Sequence, residues 1–376
     1  MLNTKQLFPL SLLTLALTGC GGSSGGGNDN FQFDATAVIE NETNNIIVAG
    51  YQNLATSADT LVIALSTLQT NQDETTLTAA QNAWKAAREP WEQGESHIFG
   101  PVDALEIDPH LDSWPLNTAD LASTISSYSG EDITALNDDV QGFHAIEYLL
   151  FGNGVNSNDR EPDLSVNERA YLAALSTVFA RYTESLYDNW ETSFESSNAY
   201  KTYLLNPGSA GNQYYPSDLA VMDELINGMI GIVDEVANGK IADPFGTSIN
   251  DTDTTQVESQ YSWNSLTDFT NNIIGVRNVY QGEFDGQTDA AGIIDFVAAA
   301  DENLAERVAD EIDAAIAAIQ NIGDDGSAEG MPFRTAIDDA QGRVRIQAAI
   351  DSLHTLYDSL QNDVLPLLNR WENTAG

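Results

Sequence analysis

The chain has 376 residues, with 14 Lys+Arg against 57 Asp+Glu and a formal net charge of −43. That balance excludes a nucleic-acid binder, which needs a basic face to displace phosphate counterions, and disfavours attraction to an anionic bilayer. Hydrophobic residues at 42%, including 13 Phe, 13 Tyr and 6 Trp, exclude a disordered chain and supply one large core or two ordinary ones.

Residues 1–19 hold Lys5, an apolar run from Leu7 to Leu17 that is too short to span a bilayer, and then Thr18 and Gly19 before Cys20. This is the layout of a secretory signal peptide ending in a bacterial lipobox, so Cys20 is expected to become the lipidated first residue of the mature protein. Cys20 is also the only cysteine, which removes disulfides, thiolate metal sites and a cysteine nucleophile together. Residues 20–30 read as the lipidated cysteine and a flexible Gly/Ser tether. The expected location is the bacterial cell envelope, with a lipid anchor at the outer membrane facing the periplasm or the surface.

Beyond Phe31 the apolar spacing is close to 3.6 residues, with no convincing period-2 run, so the expected fold is all-α. Helical segments are predicted over 36–69, 73–98, 131–151, 165–195, 216–239, 257–280, 289–320 and 343–371, with Asp73 as an N-cap. A soft boundary near 201–215 divides the chain into two helical-bundle-like halves packed together, 31–205 and 206–376. His354 is expected to pack in or beside the core of the last helix. The stretch around Asp251, Asp253 and Glu258 reads as a solvated linker with helix caps.

The chemistry concentrates between Ala83 and Phe151. His144 and Glu147 are three apart and share a helix face. Phe143, Ile146, Tyr148, Leu149, Leu150 and Phe151 surround them in every direction, which marks a buried helix. A buried carboxylate is costly unless it is paired or bound to a cation. Metal coordination satisfies both side chains, and so does a structural His–Glu hydrogen bond or an arginine partner for Glu147. Arg88 and Glu92 are four apart, consistent with a salt bridge, while Pro90 between them falls inside a helical pattern. A helix interrupted there would re-aim Trp91 and Glu92. The following stretch, dense in Pro and Trp, carries Asp103, Asp108, His110 and Asp112, each an oxygen or nitrogen donor or simply a turn former.

Gly142-Phe143-His144-Ala145-Ile146-Glu147 resembles the G-x-H-x-x-E signature of the imelysin-like family, also called insulin-cleaving metalloproteinases. Arg88-Glu89-Pro90-Trp91-Glu92, the stretch from Phe99-Gly100-Pro101 to Trp114-Pro115, Asn238 to Gly246, and Asp268 to Ile274 are similar to that family in the same order. The resemblance implies two bundle-like halves with the H-x-x-E helix near their interface, and an envelope protein of bacterial iron acquisition with iron-uptake proteins as partners. It implies His144, Glu147 and Glu92 as metal-site residues for iron or zinc, with Arg88, Asp103 and Asp108 as additional site residues. The H-E-x-x-H pattern of common zinc peptidases is absent, so metal or iron-ligand binding is preferred. The alternatives are a metallopeptidase of unfolded proteins such as insulin, in which Glu147 is catalytic, and a scaffold or adhesion lipoprotein without metal.

Overall fold

The computed structural model describes residues 30–154, 163–284, 286, 290–324 and 330–374. The signal segment, Cys20 and nearly all of the tether lie outside the described residues. The fold is all-α, as the periodicity predicts. The long helices are α1 (Ala49–Thr70), α2 (Glu74–Gly94), α4 (Gly142–Phe151), α5 (Val166–Glu191), α6 (Asp218–Asp234), α7 (Ser265–Gln281), α9 (Glu302–Asn321) and α10 (Ala340–Ser359), with the short α3 (Ile107–Asp112) and α8 (Ile293–Ala300) between them. Among the described residues, no helix is long and apolar enough to cross a membrane.

Asp73 caps α2 through a reciprocal capping box with Thr76. The helix then runs straight through Pro90 to Gly94 instead of breaking, because its apolar face is locked in place. Trp84, Ala87 and Trp91 on that face are almost fully buried. α1 packs on α2 and α5, and α2 in turn packs on α7. The apolar side chains of both halves join in one connected cluster. At the α2–α7 crossing the backbones nearly touch: a Cβ on Gly275 would lie 2.2 Å from the Gln93 carbonyl. That contact sets Glu92 against Asn272.

Four predicted segments are cut where their apolar period would carry the helix on. Segment 131–151 is helical as an α-helix only from Gly142; Ile133–Ala135 and Asp138–Val140 are single 3₁₀ turns. Asp132 there bonds the Thr134 N–H, a side-chain competitor of the kind that undoes a helix. Segment 257–280 becomes helical only at Ser265, since the N–H groups of Tyr261 and Ser262 donate to the Glu147 carboxylate. Segment 289–320 divides at Asp301, whose side chain caps α9. The last segment passes from α10 into a π-turn (Leu360–Val364) and a 3₁₀ stretch (Leu365–Arg370).

The chain ends in a short strand, β2 (Trp371–Asn373), parallel to β1 (Phe31–Phe33). Three residues per strand give no alternation long enough to read. His354 is exposed, with Nε2 3.1 Å from Asn238 Oδ1. The expected core packing is therefore wrong: Leu353 and Leu356 take the buried positions beside it.

Candidate metal centre

The centre is assembled from six pieces of chain. α2 supplies Arg88 and Glu92, one turn apart, and Glu95 follows one turn later in the 3₁₀ extension Glu95–His97. α3 supplies Asp112, α4 supplies His144 and Glu147, and α7 supplies Asp268 and Asn272. Lys240 lies in the π-helical turn Glu235–Ala242, where the extra residue per turn re-aims a side chain relative to an α-helix. Glu258 comes from the turn before α7. It is 1% exposed, so the solvated-linker reading of that stretch fails at this residue. Asp251 and Asp253, by contrast, do bond neighbouring side chains and backbone at the surface.

The first glycine of the G-x-H-x-x-E pattern has a steric role. Gly142 has φ +73°, and a Cβ on it would lie 2.3 Å from the Leu111 carbonyl. The end of α3 therefore rests directly on the start of α4, and this contact sets Asp112 beside His144. Gly142→Ala is expected to lower stability by about 1–3 kcal/mol through left-handed strain and overpacking. Thermal melting checks this, and no loss would show that α3 does not bear on α4.

Glu147 is saturated with donors. Its Oε1 accepts from the backbone N–H of Tyr261 (3.0 Å), the N–H of Ser262 (2.7 Å) and the Ser262 hydroxyl (2.7 Å). Its Oε2 lies 2.9 Å from His144 Nδ1. This is how a carboxylate fixes an imidazole so that the other ring nitrogen is presented elsewhere. His144 Nε2 lies 3.2 Å from Asp112 Oδ1, off the line a hydrogen bond requires, and is buried without a hydrogen-bond partner. Burial alone would push His144 toward neutrality, but Asp112 and Glu147 outweigh it and lift the imidazole to about 10.

Arg88 is the central cation. Its guanidinium contacts Asp112 and Glu92 and lies 2.9 Å from Glu258 Oε1 and 3.3 Å from Asp268 Oδ2. It also sits 4.8 Å from the centre of the Phe143 ring. Lys240 Nζ adds contacts to Glu95 (2.8 Å), Glu258 (3.0 Å) and Glu92 (3.4 Å). Burial opposes both charges, and the surrounding carboxylates overcome it and hold each cation ionised well beyond its ordinary range. Burial would raise Asp112 as well, yet Arg88 and then His144 hold it well below the usual carboxylate range. Burial pushes Glu92 up to about 8 and Asp268 to about 6.

Of the residues singled out in the sequence, Arg88, Glu92, His144 and Glu147 therefore meet in one buried cluster. Asp108 is half-buried at its edge, raised to about 7 by burial and then by Asp112. Asp103 is exposed on its own short helix and makes no contact with the cluster in the hydrogen bonds or ion pairs described. Asp112 was read in the sequence only as one acid among several in its stretch. Glu95, Lys240, Glu258, Asp268 and Asn272 were not singled out as site residues. Asp112, His144 and Glu258 each offer one ligand atom, and these atoms lie within 4.8 Å of one another.

Comparison with known proteins follows this geometry. The Peptidase_M75 (imelysin) family profile matches residues 47–360. A curated relative, "Iron-regulated protein A" of Synechococcus elongatus, is 30% identical over 376 residues, covering 98% of this chain and 97% of its own. A crystal structure of a candidate iron-regulated protein A precursor from Parabacteroides distasonis superposes with a TM-score of 0.76 at 27% identity, over 90% of this chain and 95% of that one. An imelysin-like protein from Psychrobacter arcticum shares the fold at TM-score 0.67 and 14% identity, over 90% of this chain and 98% of that one.

Proposed function

This chain belongs to the imelysin family, and from that premise we propose that it is an envelope lipoprotein of bacterial iron acquisition that holds a divalent metal at His144, Asp112 and Glu258. The observation that carries the reading is His144 Nε2: buried and aimed by Glu147, it is ion-paired with Asp112 at 3.2 Å without a well-formed hydrogen bond, and His144 shares a 4.8 Å ligand set with Asp112 and Glu258. The donor set fits a metal. One imidazole nitrogen with carboxylate oxygens suits iron(II) or zinc. Once Glu92, Glu95 and Asp268 lose the protons that burial lets them hold, Arg88 and Lys240 together neutralise only part of the charge of these acids and of Asp112 and Glu258. Bound there, the metal would supply the missing positive charge. In this reading Glu147 positions His144, and Glu92 holds Arg88 and Lys240 in place. The name of the Synechococcus relative supports a tie to iron.

Binding is preferred to peptide hydrolysis because Asp112, His144 and Glu258 are 7%, 2% and 1% exposed. A polypeptide substrate has no access to atoms buried to that degree. The expected result is one equivalent of iron or zinc in the purified mature chain, lost in His144→Ala and in Glu258→Gln, by elemental analysis. The imidazole must release a proton to bind, so affinity should rise with pH from 6 to 9, by roughly tenfold per unit while His144 titrates. Equal trace metal in wild type and both variants would overturn the metal reading. Metal-dependent cleavage of insulin or casein by the same samples would replace binding with catalysis.

The envelope part of the reading rests on the lipobox at Leu17 to Cys20. Incorporation of labelled palmitate in bacterial cells, abolished in Cys20→Ser, tests it. Equal labelling of the variant would remove the anchor.

A further inference from the structure

α2 has two working stripes. Arg88 and Glu92 face the charge cluster, whereas Ala86, Glu89, Pro90 and Gln93 line a separate cavity of about 820 Å³ bounded by α1, α2, α7, the residues just after α7, and Asp313 of α9. That volume is within the range of small-molecule sites, roughly 300–1,000 Å³. The proline that the sequence places inside α2 belongs to this cavity, not to the charge cluster.

Pro90 has no N–H, so the Ala86 carbonyl one turn earlier loses its helical donor. Ala86 and Pro90 both line the cavity, so the helix ladder is interrupted at its wall. Five carboxamides line the same cavity: Asn53 from α1, Gln93 from α2, and Asn271, Asn278 and Gln281 from α7. Each carries two donor hydrogens and an acceptor oxygen on one rigid plane. Gln93 Nε2 donates to Asn271 Oδ1 at 3.0 Å, and the Gln93 and Asn278 carboxamides are 3.2 Å apart. Gln93, Asn271 and Asn278 are therefore held to one another before any ligand arrives. Phe284 adds an aromatic side chain to the lining.

The charges decide what such a wall accepts. Glu89, Glu283 and Asp313 line the cavity against Arg277 alone, and Arg277 is itself 3.7 Å from Asp313. With the chain at −43, anionic ligands such as phosphates and polycarboxylates are repelled. Neutral groups that both donate and accept match the carboxamides, and a flat apolar face matches Phe284. Hydroxyls on a sugar ring have both properties. We propose that this cavity binds a neutral, hydroxyl-rich ligand of the size of a short oligosaccharide.

The proposal is independent of the metal reading, and the test separates them. The mature chain is applied to an array of neutral di- to pentasaccharides that includes maltotriose, cellotriose and chitotriose, and the strongest hit is then titrated calorimetrically. Asn53→Ala, on the exposed side of α1, and Gln93→Ala should each weaken binding by at least tenfold without a fall in melting temperature beyond a few degrees. Pro90→Ala should raise the melting temperature, by returning a donor to Ala86, and at the same time weaken binding several-fold. His144→Ala should bind the glycan as wild type does, whatever happens to its metal. Retention of no neutral glycan, wild-type affinity in Asn53→Ala and Gln93→Ala, or displacement of the glycan by spermidine or a basic peptide at lower concentration would each overturn the proposal.

Discussion

Arg88→Met is expected to lower folding stability by about 3–5 kcal/mol, the loss typical of removing one partner from a buried ion cluster. Methionine keeps most of the stem volume, so the loss reads the charge and not a cavity. In the native structure the guanidinium touches Asp112, Glu92, Glu258 and Asp268 at once, and all five side chains are at most 3% exposed. Removing the cation takes one partner from each carboxylate, leaving Trp91 on Asp112, Ser259 and Asn264 on Asp268, and Lys240 on Glu92 and Glu258. Lysine at position 88 should recover only part of the loss, because a point charge cannot fork between α3 and the turn before α7 as a planar guanidinium does. Urea unfolding at pH 7 measures both variants. A loss below about 1 kcal/mol for Arg88→Met would mean that the carboxylates are satisfied by protons and by Lys240, and that Arg88 does not organise the centre.

The same cluster shows what a sequence can and cannot disclose. His144 and Glu147 were legible because the other positions of their helix are aromatic or aliphatic, so a charged group there has to be buried, while Arg88 and Glu92 were legible from their i,i+4 spacing and from the family resemblance. Lys240 gives no such signal. Its neighbours Asn238 and Gly239 look like surface residues, and it points inward only because a π-turn shifts its register. Glu258 and Asp268 sit where a helix was expected to be continuous from 257, and the turn at 257–264 exists only because a distant carboxylate, Glu147, takes its N–H groups. Asp112 could not be told from Asp103 and Asp108 by spacing. What marks it out is that its neighbour Leu111 rests on Gly142 of α4, and that contact is a tertiary fact. Helix existence was thus readable from local period, while the breaks and the inward acids were decided by contacts between distant segments.

Stability is expected to fall by several kcal/mol between pH 5 and pH 9, opposite to the usual acid sensitivity of a carboxylate-rich protein. The direction follows from proton uptake on folding. Burial, and then the neighbouring acids, raise Glu92 to about 8, Asp108 to about 7 and Asp268 to about 6, and push Glu95 well above its ordinary value. Each of these groups holds a proton in the folded state that the unfolded chain releases. Their contribution is complete below the unfolded carboxyl value near 4 and is lost as pH rises through the folded values. His144 acts in the same sense at higher pH, with its contribution present below about 6.5 and lost through about 10. Asp112, held low by Arg88 and His144, works the other way, and its contribution disappears only in acid. The urea midpoint should therefore peak near pH 5 and decline toward pH 9. Glu92→Gln, whose amide has no proton to lose, should flatten the decline between about 6 and 8. A midpoint that is level or rises from pH 5 to 9 would show that the cluster is ionised and balanced without protons. If the decline is found, a divalent metal added at pH 8 should reverse it in wild type and not in His144→Ala, because a bound cation replaces the charge that the departing protons carried.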